Sequence, residues 1–184
     1  MPQAKARANP EESPGEILVT LRNRFREGGL IGLVFASALF LLSLLSFDPQ
    51  DPGWSFTGEN QDVANLVGAS GAWTADVVLF VFGFAGYLLP LLLLWQAWAV
   101  VRARTGEGSG VGWALAGLRC VGLLVVFGAL CGLASLHFYA AGAYLPGGSG
   151  GIVGHLAHDA LVPAFSYVGS TLVLCAVGLI GLTV

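Results

Sequence analysis

The stretch VVLFVFGFAGYLLPLLLLWQAWAVV, residues 77–101, contains 25 consecutive residues without a charged side chain. A helix needs about 20 residues to cross roughly 30 Å of hydrocarbon, so this stretch predicts a transmembrane helix. Three other apolar stretches are long enough to cross, at residues 30–47, 120–140 and 164–184. The chain is 55% hydrophobic and only 10% charged, with a mean hydropathy of +0.77, which excludes a soluble globular domain. We therefore predict an all-α integral membrane protein with four transmembrane helices.

The distribution of basic residues predicts the orientation of these helices. All eight bases lie before the first span, after the second span or at the start of the third. Short cytoplasmic loops retain Lys and Arg, so both termini are predicted to be cytoplasmic, and residues 48–74 and 141–163, which contain no base, to face outward. The predicted topology determinants are Arg22, Arg24, Arg26, Arg102, Arg104 and Arg119. Arg119 is expected at the headgroup level, because a full span of about 21 residues follows it.

The chain divides into a short cytoplasmic segment and a membrane domain. Residues 1–27 are predicted to form a tail and a short amphipathic basic helix, which begins at SPGE, residues 13–16, a capping box with Pro at the first helical position. Residues 28–184 are predicted to form the membrane domain. Its first span is interpreted as an uncleaved anchor, because no small-residue cleavage site follows it. The last span has no flanking charge, so we expect the chain to be part of a longer protein.

Several residues inside the spans predict local structure. Asp76 is expected in the first turn of the second span, where its charge suits the helix dipole. Pro90 removes a backbone hydrogen bond and predicts a kink near residues 83–90. Gly128 and Gly132 form a GxxxG pair, which indicates close helix packing within one chain or between subunits. The cysteines, Cys120, Cys131 and Cys175, lie in apolar runs and are interpreted as packing residues.

The first outward loop begins with SFDPQDPGWS, residues 46–55. Both of its aspartates precede prolines, which disfavours helix and predicts a sharp turn that places a tryptophan at the interface. The segment is interpreted either as a simple stop and turn or as a contact surface for a partner. The candidate contact residues are Asp48, Pro49, Asp51, Pro52 and Trp54.

The second outward loop carries the remaining candidate chemistry. PGGSGGIVG, residues 146–154, lacks the Lys-Ser/Thr of a phosphate-binding loop and is interpreted as a re-entrant or flexible turn before a short outer interfacial helix. On that helix His155, His158 and Asp159 share one face, a weak metal-site pattern without a third strong ligand. No span carries a paired acid or an HExxH motif, so no catalytic residue, metal or cofactor is predicted for this chain.

Three segments together resemble a known family. FDPQDPGWS after the first span, GASGAWTADVVLFVFGFAGYLLPLLLLWQAW around the second, and LPGGSGGIVG before the last are similar to the N-terminal four-helix membrane domain of the FtsK/SpoIIIE septal DNA translocases. The resemblance covers nearly everything from about Leu30 onward. It implies a hexameric cell-division protein of the bacterial inner membrane, located at the septum, which contacts other division proteins and takes part in chromosome segregation.

The resemblance implies an anchoring function for this chain. The family's ATP-driven motor is absent, because no GxxxxGK[ST] motif occurs in the 184 residues, so DNA contact is expected only through that missing motor domain. The chain is predicted to be the membrane anchor, septal targeting and oligomerisation domain of a translocase, and not itself an enzyme. The alternatives are a subunit of a small transporter or channel, and a metal-dependent membrane enzyme using His155 and His158.

Overall fold

The architecture is an all-helical bundle, described here from a computed structural model that places the backbone of residues 14–58, 62–102 and 113–183. No β-strand occurs within those ranges. The helices are α1 (Pro14–Leu45), α2 (Ala69–Phe82), α3 (Leu88–Arg102), α4 (Trp113–His137) and α5 (Gly151–Thr183), with a 3-10 turn at Gly83–Tyr87 between α2 and α3. Four segments are long and apolar enough to span a membrane: Glu27–Leu45, Ala69–Trp95, Gly117–His137 and Gly151–Thr183. The prediction of an all-α, four-span protein is confirmed.

The first span is the C-terminal part of a helix that is longer than predicted. Helix α1 continues without a break from Pro14 to Leu45, so the predicted short N-terminal helix and the first span are one element. The proposed boundary at residue 27 therefore falls inside a helix. Gly28 and Gly29 weaken the helix locally, but neither a proline nor a helix cap separates the two parts. Ser13 of the predicted capping box lies outside the described residues.

The second span is interrupted where a kink was predicted, but its start was placed wrongly. Helix α2 begins at Ala69, eight residues before the predicted start, so Asp76 lies two turns inside the helix and not in its first turn. The interruption begins at Gly83, whose φ of +56° is rarely adopted by other residues. Pro90 is the third residue of α3, where a proline disrupts few helical hydrogen bonds.

The third and fourth spans also differ from their predicted limits. Helix α4 covers residues 113–137 instead of 120–140, and residues 138–140 leave the helix. Helix α5 contains one non-helical residue, Ser166 (φ 60°, ψ 176°), which divides it into residues 151–165 and 167–183. The first part is the helix that was predicted before span four. It packs against α4, with Gly154 beside the Cys131 carbonyl group.

Helices α4 and α5 meet along a seam of small residues. A Cβ atom placed on Gly154 would lie 2.5 Å from the carbonyl oxygen of Cys131, and one on Gly181 would lie 2.8 Å from the carbonyl oxygen of Gly122. Gly132 faces α5 in the same seam, where an added Cβ atom would lie 2.9 Å from the Leu174 side chain. Because these positions carry no side chain, the two backbones approach closely, which is how helices in lipid gain packing energy.

Helix α1 packs against the broken second span through hydroxyl groups. Ser37 Oγ donates to the carbonyl oxygen of Pro90 at 2.5 Å, and Ser43 Oγ donates to that of Gly71 at 2.6 Å. Both serines are buried. Near the loops lies an apolar cluster of buried residues, Leu44, Ala75, Leu79 and Leu145. This cluster joins α1, α2 and the segment that follows α4.

Candidate functional site

The loop between α1 and α2 is folded around the carboxylate of Asp51. This carboxylate accepts hydrogen bonds from the backbone amides of Ala64 at 2.7 Å and Asn65 at 2.9 Å. The Asn65 side chain in turn donates to the carbonyl oxygens of Ser43 at 2.8 Å and Ser46 at 3.2 Å. Carbonyl groups at the end of a helix lack partners within the helix, so Asn65 satisfies the end of α1. The result is a fixed connection between the first span and residues 48–55, the DPxDPxWS segment.

A second carboxylate connects the same segment to α2. Asp76 accepts hydrogen bonds from the backbone amide and from the hydroxyl group of Ser55, both at 2.6 Å. Gly53 lies beside it, and a Cβ atom there would come within 2.6 Å of the Asp76 carboxylate. The absence of a side chain at Gly53 therefore lets the turn approach α2. Asp76 is buried, and both of its carboxylate oxygens hold the loop.

The five predicted contact residues divide into buried and exposed members. Asp51 is only 5% exposed, so its role in the structure is to hold the loop, and it presents no surface to a partner. Asp48 accepts a hydrogen bond from the Gln50 amide at 2.8 Å and forms a local turn. Pro49 is exposed, while Pro52 is half-buried. Trp54 is 58% exposed and rests edge-on against Phe80, with ring centroids 5.0 Å apart.

The segment after α4 dips into the bundle and meets the break in the second span. The Phe84 amide at this break donates to the carbonyl oxygen of Ser149 at 2.8 Å, and the Cys131 thiol lies 3.5 Å from the carbonyl oxygen of Phe82. Gly150 lies against the Cys131 carbonyl, six residues before the end of α4 or about 9 Å along the helix. Residues 146–151 are thus a re-entrant turn, one of the two interpretations of PGGSGGIVG.

This re-entrant turn provides a hydrogen-bond acceptor for a backbone amide that lacks a helical partner at the break in the second span. Irregular backbone within a membrane is stable only where protein covers it, and residues 146–151 cover the break at residues 82–84. Ser149 Oγ donates to the carbonyl oxygen of Ala134 at 2.9 Å, which fixes the turn to α4 as well. Cys131 is therefore a packing residue, as predicted, and also a hydrogen-bond donor. Among the described side chains, no buried polar atom lacks a partner.

The histidines do not form a metal centre in the part of the chain that the structure describes. His158 Nδ1 lies 3.1 Å from the neighbouring Asp159 carboxylate, and no group of three possible ligands is gathered among the described residues. His155 is exposed. The third histidine, His137, lies elsewhere, with Nδ1 2.8 Å from the Tyr167 hydroxyl and Nε2 3.1 Å from Thr171 Oγ1. Its partners indicate that it joins the end of α4 to the second part of α5.

Of the two glycines predicted to pack helices, only Gly132 contacts another helix. Gly132 is packed against α5 of the same chain, whereas a Cβ on Gly128 would meet nothing within 4 Å.

Arg119 lies on α4 near the start of the third span, with an exposed side chain, and Arg24 is exposed on α1. Three further arginines lie in helices whose backbone the structure describes without their side chains: Arg22, Arg26 and Arg102. Arg104 lies outside the described residues. The orientation they predict stays a prediction.

The residues that complete the loop network were not predicted from the sequence. Asn65, Ser43 and Ser149 are buried and hydrogen-bonded, yet none was singled out. A signal was available, because a polar side chain inside an apolar or glycine-rich run requires a partner when buried. The hydrogen-bond partners of these side chains lie 15 to 28 residues away in the sequence, so only the structure identifies them.

The known proteins that this chain resembles match it over most of its length. Residues 22–184 match the model of the 4TM region of DNA translocase FtsK/SpoIIIE. The DNA translocase FtsK of Pseudomonas syringae pv. syringae is 38% identical over 165 residues, which is 89% of this chain and 20% of the relative. That of Vibrio vulnificus is 38% identical over 151 residues, 82% of this chain and 15% of the relative. That of Shewanella oneidensis is 35% identical over 156 residues, 84% of this chain and 17% of the relative.

These matches define which part of the relatives the chain resembles. The chain spans a fifth or less of the length of these relatives. No solved structure matches it. The family match begins at residue 22, within α1, and includes all four candidate spans and the loops that follow the first and third spans. The chain therefore belongs to the family of the four-transmembrane region of the FtsK/SpoIIIE DNA translocases.

Proposed function

We propose that this chain is the membrane anchor of a DNA translocase in the bacterial inner membrane, and that it directs the protein to the division septum and supports its oligomerisation. The family supports the anchoring part, since its relatives are named DNA translocases. DNA contact belongs to a motor domain beyond the matched region, and the anchor itself needs no cofactor. Hexamer formation and contacts with other division proteins are part of the same proposal.

One observation carries the anchoring proposal: the bundle has an apolar outer surface, and its described buried polar side chains are hydrogen-bonded within the chain. Large apolar side chains are exposed along every span, as expected for surfaces that face lipid. The buried polar side chains that the structure describes all have hydrogen-bond partners within the chain. Because these described polar groups need no further partner, the bundle can act as a stable membrane anchor for other domains.

The exposed part of the first loop is the surface that we propose for contact with division proteins. Pro49, Gln50 and Trp54 are exposed, and they are held in place by the buried Asp51 and Asp76. A preformed surface loses little conformational entropy on binding, which favours recognition. Trp54 is the strongest candidate for an anchor, because tryptophans dominate the binding energy of many interfaces.

The experiment that tests this function follows the full-length translocase in dividing cells. A fluorescent fusion carrying Trp54→Ala and Gln50→Lys is compared with the unmodified fusion and with Leu66→Ala, an exposed apolar residue of the same loop. We expect the double variant to reach the membrane in normal amounts but to lose septal enrichment, while Leu66→Ala keeps it. Equal septal enrichment in all three proteins would exclude this surface from targeting.

Oligomerisation is tested separately with the purified chain. Chemical cross-linking and native mass spectrometry in a mild detergent are expected to give a discrete species of about six subunits. A strictly monomeric protein at all concentrations would remove oligomerisation from the proposed function of this chain and leave only anchoring.

A transporter or channel subunit is the second candidate, and one observation favours it. Broken spans and re-entrant turns are typical of transporters, and here the second span is interrupted at Gly83–Tyr87 and α5 at Ser166. The break at Gly83 is, however, filled by the backbone of Ser149. Ion or solute flux in liposomes containing the purified chain, above that of empty liposomes, would favour this candidate.

A further inference from the structure

A long groove separates α3 from α4 on the lipid-facing side of the bundle. Its wider part has a volume of about 570 Å³ and lies under the residues that follow α4, and its narrower part of about 260 Å³ continues toward Trp95 and Leu123. Leu88 and Leu130 line both parts, so the two are continuous. Along α4 the groove extends from Leu123 to Ala134, about 16 Å of helix, and it ends beside Phe138, which follows the helix.

The shape of this groove favours a narrow occupant. Its floor is formed by small residues, Ala85 and Ala134, which are 5% and 9% exposed. Its rim carries bulky side chains, of which Leu88, Leu91, Leu130 and Phe138 are 37–57% exposed. A second helix, about 10 Å wide, packs closely where small residues form the rim. Here the small residues lie at the bottom, so the slot fits a single hydrocarbon chain better than a helix.

A positive charge lies at one end of the same groove. Arg119 precedes Leu123 by one helical turn and therefore shares its face of α4. The Arg119 side chain is exposed and has no hydrogen bond or ion pair with any described residue. Neither α3 nor α4 contains an Asp or Glu that could neutralise it from within the groove. A guanidinium near the end of a span attracts phosphate groups of the bilayer surface.

We propose that the groove binds one acyl chain of an anionic phospholipid whose phosphate is held by Arg119. The exposed indole of Trp95 lies across the groove from Leu123 and ends the second candidate span, a position where tryptophans typically contact headgroups. The hydrocarbon chain fills the slot between α3 and α4 and covers Ala85 and Ala134. The lipid thereby joins two helices that make little direct contact with each other across the groove.

Native mass spectrometry of the purified chain tests this proposal with phosphatidylglycerol and phosphatidylcholine of identical acyl chains. One basic residue near a membrane surface favours anionic lipid by about fivefold in affinity, so we expect phosphatidylglycerol to be retained about fivefold more tightly. Arg119→Gln is expected to abolish this preference. The control Arg24→Gln removes an exposed charge from α1 and is expected to keep it.

A second pair of variants tests the groove itself. Leu130→Trp places a larger ring across both parts of the groove and is expected to lower retention of both lipids. Leu124→Trp, on the same helix but outside the groove and 72% exposed, is expected to retain them as the unmodified chain does. If Leu130→Trp instead dissociates an oligomer without changing lipid retention, the groove binds a second copy and the proposal is wrong.

Photo-crosslinking of the unmodified chain gives an answer that does not depend on the folding of any variant. Phosphatidylglycerol with a photoreactive acyl chain is expected to label the groove residues Leu88, Leu130 and Phe138, as located by peptide mass spectrometry. Labelling spread evenly over the exposed faces, with Leu124 labelled as strongly as Leu130, would show only general solvation by lipid and would overturn the proposal.

Discussion

The backbone amide of Asn65 donates to the carboxylate of Asp51 at 2.9 Å, while the Asn65 side chain donates to the last turn of α1. Asn65 is therefore the point at which the DPxDPxWS segment and the first span are joined. Because Asp51 is the acceptor for two backbone amides, the conformation of residues 62–68 depends on a side chain more than ten residues earlier.

Asp51→Ala should destabilise this loop and the bundle. The substitution leaves two amide donors without their acceptor, and hydrogen bonds to a charged group contribute about 1.5–3 kcal/mol each, so we expect a loss of about 3 kcal/mol. Thermal unfolding in detergent, followed by circular dichroism, measures it. Asp62→Ala, which changes an exposed acid of the same loop, is the control. Equal stability of the two variants would contradict the structural role of Asp51.

Gly154→Ala and Gly128→Ala should have opposite effects on stability. Both replace a helical glycine with the best helix former, which alone favours the helix by about 1 kcal/mol. At Gly154 the new methyl group meets the Cys131 carbonyl at 2.5 Å and must separate α5 from α4, at a cost of about 1–3 kcal/mol. At Gly128 it meets nothing. Unfolding midpoints should fall for Gly154→Ala and rise for Gly128→Ala, and a fall of equal size in both would contradict the close packing at Gly154.

Ser166→Gly should stabilise the protein. The backbone of Ser166, at φ 60° and ψ 176°, lies in a region that is accessible essentially to glycine alone, and such strain costs about 1–3 kcal/mol. Glycine removes that cost but gains freedom in the unfolded chain, so we expect a net increase of about 1 kcal/mol in unfolding free energy. Ser166→Ala keeps the strain and should show no increase. A gain of equal size in both variants would point to the serine hydroxyl instead.

Cysteine labelling tests the predicted orientation. Single cysteines at Gln50 and Ala140, both exposed in the loops, are introduced into a chain whose own three cysteines are replaced. An impermeant thiol reagent added to intact cells should label both positions but not a cysteine at Gly108, because residues 102–119 carry the bases of the predicted cytoplasmic side. Labelling at Gly108 with protection at Gln50 would invert the topology.

The spans could be predicted because their signal is local, while their ends depend on distant contacts. Twenty or so apolar residues identify a span whatever surrounds them. The start of α2 was misplaced because the sequence gives no sign that Asp76 is buried and paired with Ser55, 21 residues away. The turn at 146–154 could be read as re-entrant or flexible, and only the contacts of Ser149 with Phe84 and Ala134 decide between them.

The re-entrant turn imposes an order on biogenesis. A ribosome releases the chain from its N-terminus, and Phe84 precedes Ser149 by 65 residues, so the broken second span is synthesised well before the turn that covers it. The break at residues 82–84 is therefore uncovered until residues 146–151 follow, and the Phe84 amide has no acceptor from Ser149 during that interval. Insertion of this turn, which follows α4 and precedes most of α5, is then the step that closes the second span, and a chain that ended before Ser149 would leave the break uncovered.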